Sequence, residues 1–171
     1  MSSRSKASSS ASHHESRLFV AILAAADALS LQAEQLLKSA GLTGAQYNVM
    51  RILRGAEPTG LACRAIADRM ISHDPDMTRL LDRMEKRGLI TRERDTGDRR
   101  VVLTRVTAQG LTMLKSLDLP VHELHDSQFR HMPAARLRVL AGLLEELAAR
   151  GSSASNCENN FERITKKEKE K

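Results

Sequence analysis

Two arginine-bearing stretches in the middle of the chain are the first residues with an evident chemistry. Between Met77 and Gly88, apolar side chains recur at Met77, Leu80, Leu81 and Met84. That is the i, i+3, i+4, i+7 spacing of one helical face. The opposite face carries Thr78, Arg79, Asp82, Arg83 and Lys86. Asp74 suits the N-cap, Pro75 the first helical position and Gly88 the left-handed stop. Two β-like runs follow, Leu89 to Arg94 and Val101 to Val106, and the loop between them holds the turn formers Asp95, Gly97 and Asp98, then Arg99 and Arg100. A guanidinium offers forked donors that match a guanine edge or a phosphate. A helix apolar on one side and cationic on the other, beside an arginine-tipped hairpin, has the parts with which a winged helix meets duplex DNA.

Other elements must hold these two in place. Leu61 to Ile71 reads as the first helix of a helix-turn-helix, with Leu61, Ile66, Ala67 and Met70 inward and a break at Ser72 and His73. Upstream, Thr43 and Gln46 form a capping-box pattern, with Leu42 and Tyr47 as a hydrophobic staple, for a helix through Met50 and Leu53 to about Ala56. A turn over residues 57–60 follows. From Arg17 to Ala40, Phe19, Ile22, Leu23, Ala26, Leu29, Ala33, Leu36 and Leu37 trace a long amphipathic helix. Thr107 to Met132 is a further helix, with Leu111, Leu114, Leu117, Leu124 and Phe129 inward and Pro120 expected to kink or interrupt it. Pro133 opens the last helix, with Leu137, Leu140, Leu143, Leu144 and Leu147. The first and last helices carry more apolar surface than a small winged domain needs. They either close a bundle within one chain or interleave with a second copy, and a twofold pair would set the two cationic helices about 34–36 Å apart, one DNA turn.

Composition narrows the class. Aromatic residues make up 2% of 171, with no Trp, so aliphatic side chains must fill the core. That favours helices over a sandwich and argues against a stacking platform for single strands. Formal charge is +6, and residues 61–107 carry a net of +3 while residues 18–60 and 108–150 each balance to zero. The net charge of the foldable region thus lies wholly in the DNA-reading unit. Cys63 and Cys157 suit neither a disulfide framework nor a zinc cluster, and a reduced cytoplasm is the expected compartment. Cys63 beside Arg64 could serve as a redox switch, but packing as a small apolar residue is the plainer role.

The apolar run Leu18 to Ala26 mimics a signal peptide, yet the helical pattern continues past Asp27. No stretch reads as long enough to span a membrane. His122, Glu123, His125, Asp126 and His131 lack a second chelating pair at standard spacing, so no metal and no cofactor is expected. Neither a phosphate-binding Gly loop nor a nucleophile elbow is present, so the chain does not read as an enzyme. Residues 1–15 and 151–171 read as disordered tails. The competing class is a helical protein-interaction module without DNA binding. It would self-associate insensitively to salt, where an operator binder loses affinity steeply.

The order of elements, with Asp98-Arg99-Arg100, Leu103-Thr104 and Thr107-x-x-Gly110 in the wing, resembles the MarR (multiple antibiotic resistance regulator) family. The stretch from Thr78 to Ile90 is similar to its recognition helix and exit, and the resemblance covers about residues 17–150. It implies a fold that is mainly α with a small β-wing: a winged helix-turn-helix over 61–107 within a domain over 16–150, with dimerisation helices over 17–40 and 108–150. It further implies a homodimer on a pseudo-palindromic operator of double-stranded DNA, usually a repressor relieved by a small aromatic or phenolic ligand. By that resemblance His73, Pro75, Asp76, Thr78, Arg79 and Arg83 lie near the major groove. Arg100, then Arg99, enters the minor groove, and Asp98 orients the wing by pairing with the arginine. The ligand pocket falls near Phe19, Leu23, Met50, Leu53 and Leu111. Two positions depart from the pattern. Ala62 stands where a Ser/Thr cap is common, and Asp74 and Asp76 bring negative charge to the DNA face, where Asp76 could read a cytosine amino group.

Overall fold

The computed structural model describes residues 4–71 and 76–151. The expected break at Ser72 and His73, the site residues His73 and Pro75, Cys157 and the expected tail beyond Gly151 lie outside them. The elements run α1 (Arg4–Ser39), α2 (Gly44–Gly55), β1 (Leu61–Ala62), α3 (Cys63–Ala67), α4 (Met77–Lys86), β2 (Ile90–Arg94), β3 (Val102–Val106), α5 (Ala108–Phe129) and α6 (Ala134–Gly151). The architecture is mainly helical with a small antiparallel sheet, in the order β1-β3-β2.

The core sits where α2, α3, α4 and the start of α5 meet the sheet. Val49, Met50 and Leu53 of α2, Ile66 of α3, Leu80, Leu81 and Met84 of α4, Leu89, Ile90 and Leu114 are all buried together. Local chemistry sets the entries and exits. Thr43 Oγ1 accepts from the Gln46 backbone N–H at 3.2 Å while Gln46 Oε1 accepts from the Thr43 N–H at 3.1 Å, so the capping box closes as expected. Gly88 stands at φ +71, where the chain leaves α4 and turns into the sheet within two residues.

Several expectations need correction. α1 starts at Arg4, so residues 4–15 continue the first helix and are not a separate tail. They contain no Pro or Gly to stop a helix growing outward from its packed end. Within α1, His13–Ser39 is also long and apolar enough to cross a membrane, at mean hydropathy 1.4. The unbroken apolar run ending at Ala26 is too short to reveal this, because the apolar character continues past the charged Asp27. Length and hydropathy do not separate such a helix from one that buries its apolar face against other helices.

Leu61 and Ala62 are not helical but form a short strand, paired Leu61 with Thr104 and Ala62 with Leu103. A run of two residues carries no periodicity, and only the long-range partner makes it a strand. α5 runs unbroken through Pro120. Leu114 and Leu117, buried just upstream, hold it against the core despite the missing proline N–H.

Candidate nucleic-acid interface

α4 is fixed by its buried face. Met77, Leu80, Leu81 and Met84 are each at most 8% exposed, as their spacing requires. Thr78, Arg79, Arg83 and Lys86 on the other side are all exposed. The helix begins two residues later than expected. Asp76 is the N-cap, its Oδ1 accepting from the Arg79 backbone N–H at 3.2 Å, while Asp74 and Pro75 lie outside the described residues. A carboxylate caps by reaching the N–H three residues on, and a start at Met77 gives that place to Asp76. Its other oxygen pairs with Arg79 Nε at 3.1 Å. Such a pair between exposed side chains stabilises little, so it leaves Arg79 able to exchange Asp76 for a stronger partner.

The wing is the β2–β3 hairpin, in register from Ile90 opposite Val106 to Arg94 opposite Val102. Its tip is held by the chain's own hydrogen bonds. The Asp95 N–H donates to the Val101 carbonyl at 2.9 Å and the Val101 N–H to the Asp98 carbonyl at 2.9 Å. Asp95 Oδ2 accepts from the Asp98 N–H at 3.2 Å, and Asp98 Oδ1 from the Arg100 N–H at 2.9 Å. The expectation that Asp98 pairs with an arginine side chain is therefore corrected. Its short carboxylate reaches a backbone N–H two residues on, the Asx-turn contact, and so orients the tip through the main chain. Arg99 and Arg100 stand exposed at that tip.

Three further arginines tie the unit together. Arg105 donates from Nε to the Pro58 carbonyl at 3.0 Å and from Nη2 to the Thr59 carbonyl at 3.1 Å, fastening the base of the wing to the turn after α2. Arg87 Nη1 donates to Gln46 Oε1 at 3.1 Å, linking the end of α4 to the start of α2. Arg92 reaches from β2 to Asp82 and Glu85 of α4, at 2.6 Å each. These hydrogen bonds hold the Arg92 guanidinium more firmly protonated than usual, the bond to Glu85 foremost. The sequence reading did not single out Arg92. The signal was the period of two in the strand, which sets Arg92 on the same side as the buried Ile90.

The five residues expected around a ligand pocket are not brought together in one cavity. Met50 and Leu53 are wholly buried in the core and Leu111 packs against it, while Phe19 and Leu23 are exposed on α1. The apolar face of α2 seals against the rest of the core. An open depression of about 490 Å³ lies instead beside Ala40, Gln109, Thr112, Met113 and Ser116. Next to this region, Arg54 clasps Asp118 of α5 with both carboxylate oxygens 2.9 Å from Nη1, and Arg51 lies 5.8 Å from the centre of the Tyr47 ring. Cys63 is partly buried against the core, as a small packing residue would be. Among the described residues no three His, Cys, Asp or Glu side chains are grouped to hold a metal, and His122 lies 3.6 Å from Asp126 on the surface of α5.

The sequence pattern of the MarR family matches residues 42–102, which span α2, the helix-turn-helix and the first part of the wing. The chain is 37% identical to a MarR transcription factor from Planctomyces limnophilus, whose crystal structure aligns with a TM-score of 0.60 over 76% of this chain and 94% of that one. It is 29% identical over 140 residues to the homoprotocatechuate degradative operon repressor of Escherichia coli, covering 82% of this chain and 93% of the relative. The crystal structure of a mutant E. coli MarR complexed with operator DNA shares the fold, with a TM-score of 0.69 and 23% identity over 77% of this chain and 93% of that one.

Proposed function

Because the chain belongs to the MarR family of transcriptional regulators, we propose that it binds double-stranded operator DNA as a homodimer, with α4 in the major groove and the β2–β3 wing in the minor groove. The observation that carries this is the pairing of two exposed cationic surfaces on one rigid unit: Thr78, Arg79, Arg83 and Lys86 along α4, and Arg99 and Arg100 on the wing. A helix with its apolar side sealed and its N-terminal residues exposed is built to meet base edges. A guanidinium at the tip of a hairpin suits the concentrated negative potential of a narrow minor groove. His73, Pro75 and Asp76 precede or open the same helix and belong to the same interface.

The second copy is supported by apolar surface that one chain leaves open. Leu18, Phe19, Leu23 and Leu31 of α1 are exposed, and so are Val139, Leu140, Leu143, Leu144 and Leu147 of α6. Exposed apolar faces of this kind mark an interface. Twofold pairing through α1 and α6 then sets two α4 helices on successive turns of a pseudo-palindromic site.

The protein acts as a cytoplasmic repressor released by a small aromatic or phenolic acid. A relative that represses an operon for degrading homoprotocatechuate, itself a phenolic acid, supports both the sign and the ligand class. The ligand enters beside Ala40, Gln109, Thr112, Met113 and Ser116, with Phe19 and Leu23 available to close the site from paired helices. A regulator of this family needs no catalytic group, and none is assigned. The test is selection of bound duplexes from random DNA, repeated with phenolic and aromatic acids. The expected result is an enriched inverted repeat whose capture falls when an effective acid is added. Recovery of unselected sequence would refute operator recognition.

A further inference from the structure

The helix assigned to the major groove carries negative charge on or beside its DNA-facing side. Asp82 follows Arg79 by three positions and precedes Lys86 by four, which places it in the same surface row as both. Glu85 lies one turn further along. Both are partly exposed, at 44% and 38% of their side-chain surface. Two uncompensated carboxylates there would meet the phosphate backbone as like charges.

Arg92 meets both. Its Nη2 lies 2.6 Å from Asp82 Oδ1 and 2.6 Å from Glu85 Oε2, and its Nε donates to Glu85 Oε2 at 2.9 Å. Only 26% of its side chain is exposed, less than either acid, because it lies between the sheet and α4. It is therefore poorly placed to touch a phosphate itself. The joint between α4 and β2 does not rest on it alone. The Leu89 N–H already donates to the Met84 carbonyl at 3.0 Å, the Gly88 N–H donates to the Glu85 carbonyl at 2.8 Å, and Leu89 and Ile90 are buried.

We propose that Arg92 serves operator binding as an internal counter-charge: its single positive charge offsets one of the two negative charges of Asp82 and Glu85 on the recognition helix without contacting DNA. It is a positioning and neutralising residue, and its role rests on the DNA-binding reading above. The test compares affinities for a duplex selected with the wild-type protein. Absence of any wild-type binding defeats the DNA reading and this inference with it, whereas wild-type binding without the pattern below defeats the inference alone.

Arg92→Gln should weaken binding about tenfold, since two carboxylates regain their field at the phosphates. The double variant Asp82→Asn, Glu85→Gln, with Arg92 retained, should bind at least as tightly as wild type. The triple variant, which carries one negative charge fewer than wild type at these positions, should bind at least as tightly as wild type. A purely mechanical clamp would make the double variant as weak as Arg92→Gln, and a direct phosphate contact would keep the triple variant as weak. Either result overturns the proposal. If Arg92→Gln melts too low to assay, the double variant decides alone: weaker binding overturns the proposal and equal or tighter binding supports it.

Discussion

Single residues of the winged unit divide into exposed cationic side chains and side chains that hold the fold around them. Arg100 is exposed and its backbone N–H, not its guanidinium, is engaged by Asp98. Arg100→Ala should therefore leave thermal stability within about 0.5 kcal/mol of wild type, as at other surface sites. It should nonetheless weaken binding to any duplex, as read by fluorescence anisotropy, and unchanged affinity would remove the wing from the interface. Arg79→Ala should relax base preference by about 1–3 kcal/mol at one position of each half-site. If all single-base changes in the operator rank alike in mutant and wild type, Arg79 does not read sequence.

Tyr47 gives a prediction in pH. Burial raises its phenol above the ordinary 10.0, outweighing Arg51 and Arg54, which pull it down. A folded value above the unfolded one means that its contribution to stability is fully present below about pH 10 and is lost as pH rises through the folded value. Tyr47 is the chain's single tyrosine and there is no Trp, so phenolate absorbance reports it alone. The midpoint should lie above 10 in the folded protein and fall back in denaturant. The same midpoint in both would mean that the ring is not buried.

At the scale of elements, what was legible in the sequence was what local pattern enforces. The stripe Met77, Leu80, Leu81, Met84 could only be a buried helical face, and the capping box at Thr43 and Gln46 satisfies itself within four residues. What was not legible depended on distant partners or on a choice among near-equals. β1 exists because Leu61 and Ala62 find Thr104 and Leu103 more than forty positions away. Asp74 and Asp76 are both good caps, and only the place where the helix starts decides between them. Met50 and Leu53 looked like pocket residues because apolar side chains line pockets and cores alike. Arg92 hid because one strand position carries no helical signature.

Gly110 joins two elements. A Cβ there would overlap the Leu89 carbonyl oxygen and lie 2.7 Å from Val106 Cγ2, at the point where α5 starts across the sheet. Thr107 Oγ1 accepts from the Gly110 N–H at 3.0 Å and donates to the Gly88 carbonyl at 2.6 Å, so the crossing has little freedom. Gly110→Ala should destabilise by about 1–3 kcal/mol in denaturant unfolding, despite the better helix propensity of alanine. A neutral or stabilising outcome would show that α5 can move away from the sheet.

At the scale of the whole molecule, charge and apolar surface are segregated. The sequence assigns the net positive charge of residues 18–150 to the winged unit. Most of the exposed leucines of the described residues lie on α1 and α6, with Leu119 on α5. One surface therefore suits phosphate and the other a second copy. Leu140→Glu with Leu144→Glu would place two charges in that second surface. The pair should convert the protein to monomers at micromolar concentration and lower operator affinity by at least about a hundredfold, since each half-site would then be bound separately. A double variant that sediments as wild type would move the dimer contact away from α6.

The central claim is that two copies together present two α4 helices and two wings to one duplex. It is tested most directly by sedimentation velocity of a labelled operator duplex titrated with the full chain at about 50 and 200 mM salt. The expected result is a complex of two chains per duplex that weakens by about a hundredfold or more across that range. A single bound chain, a complex indifferent to salt, or no complex at micromolar protein would contradict it.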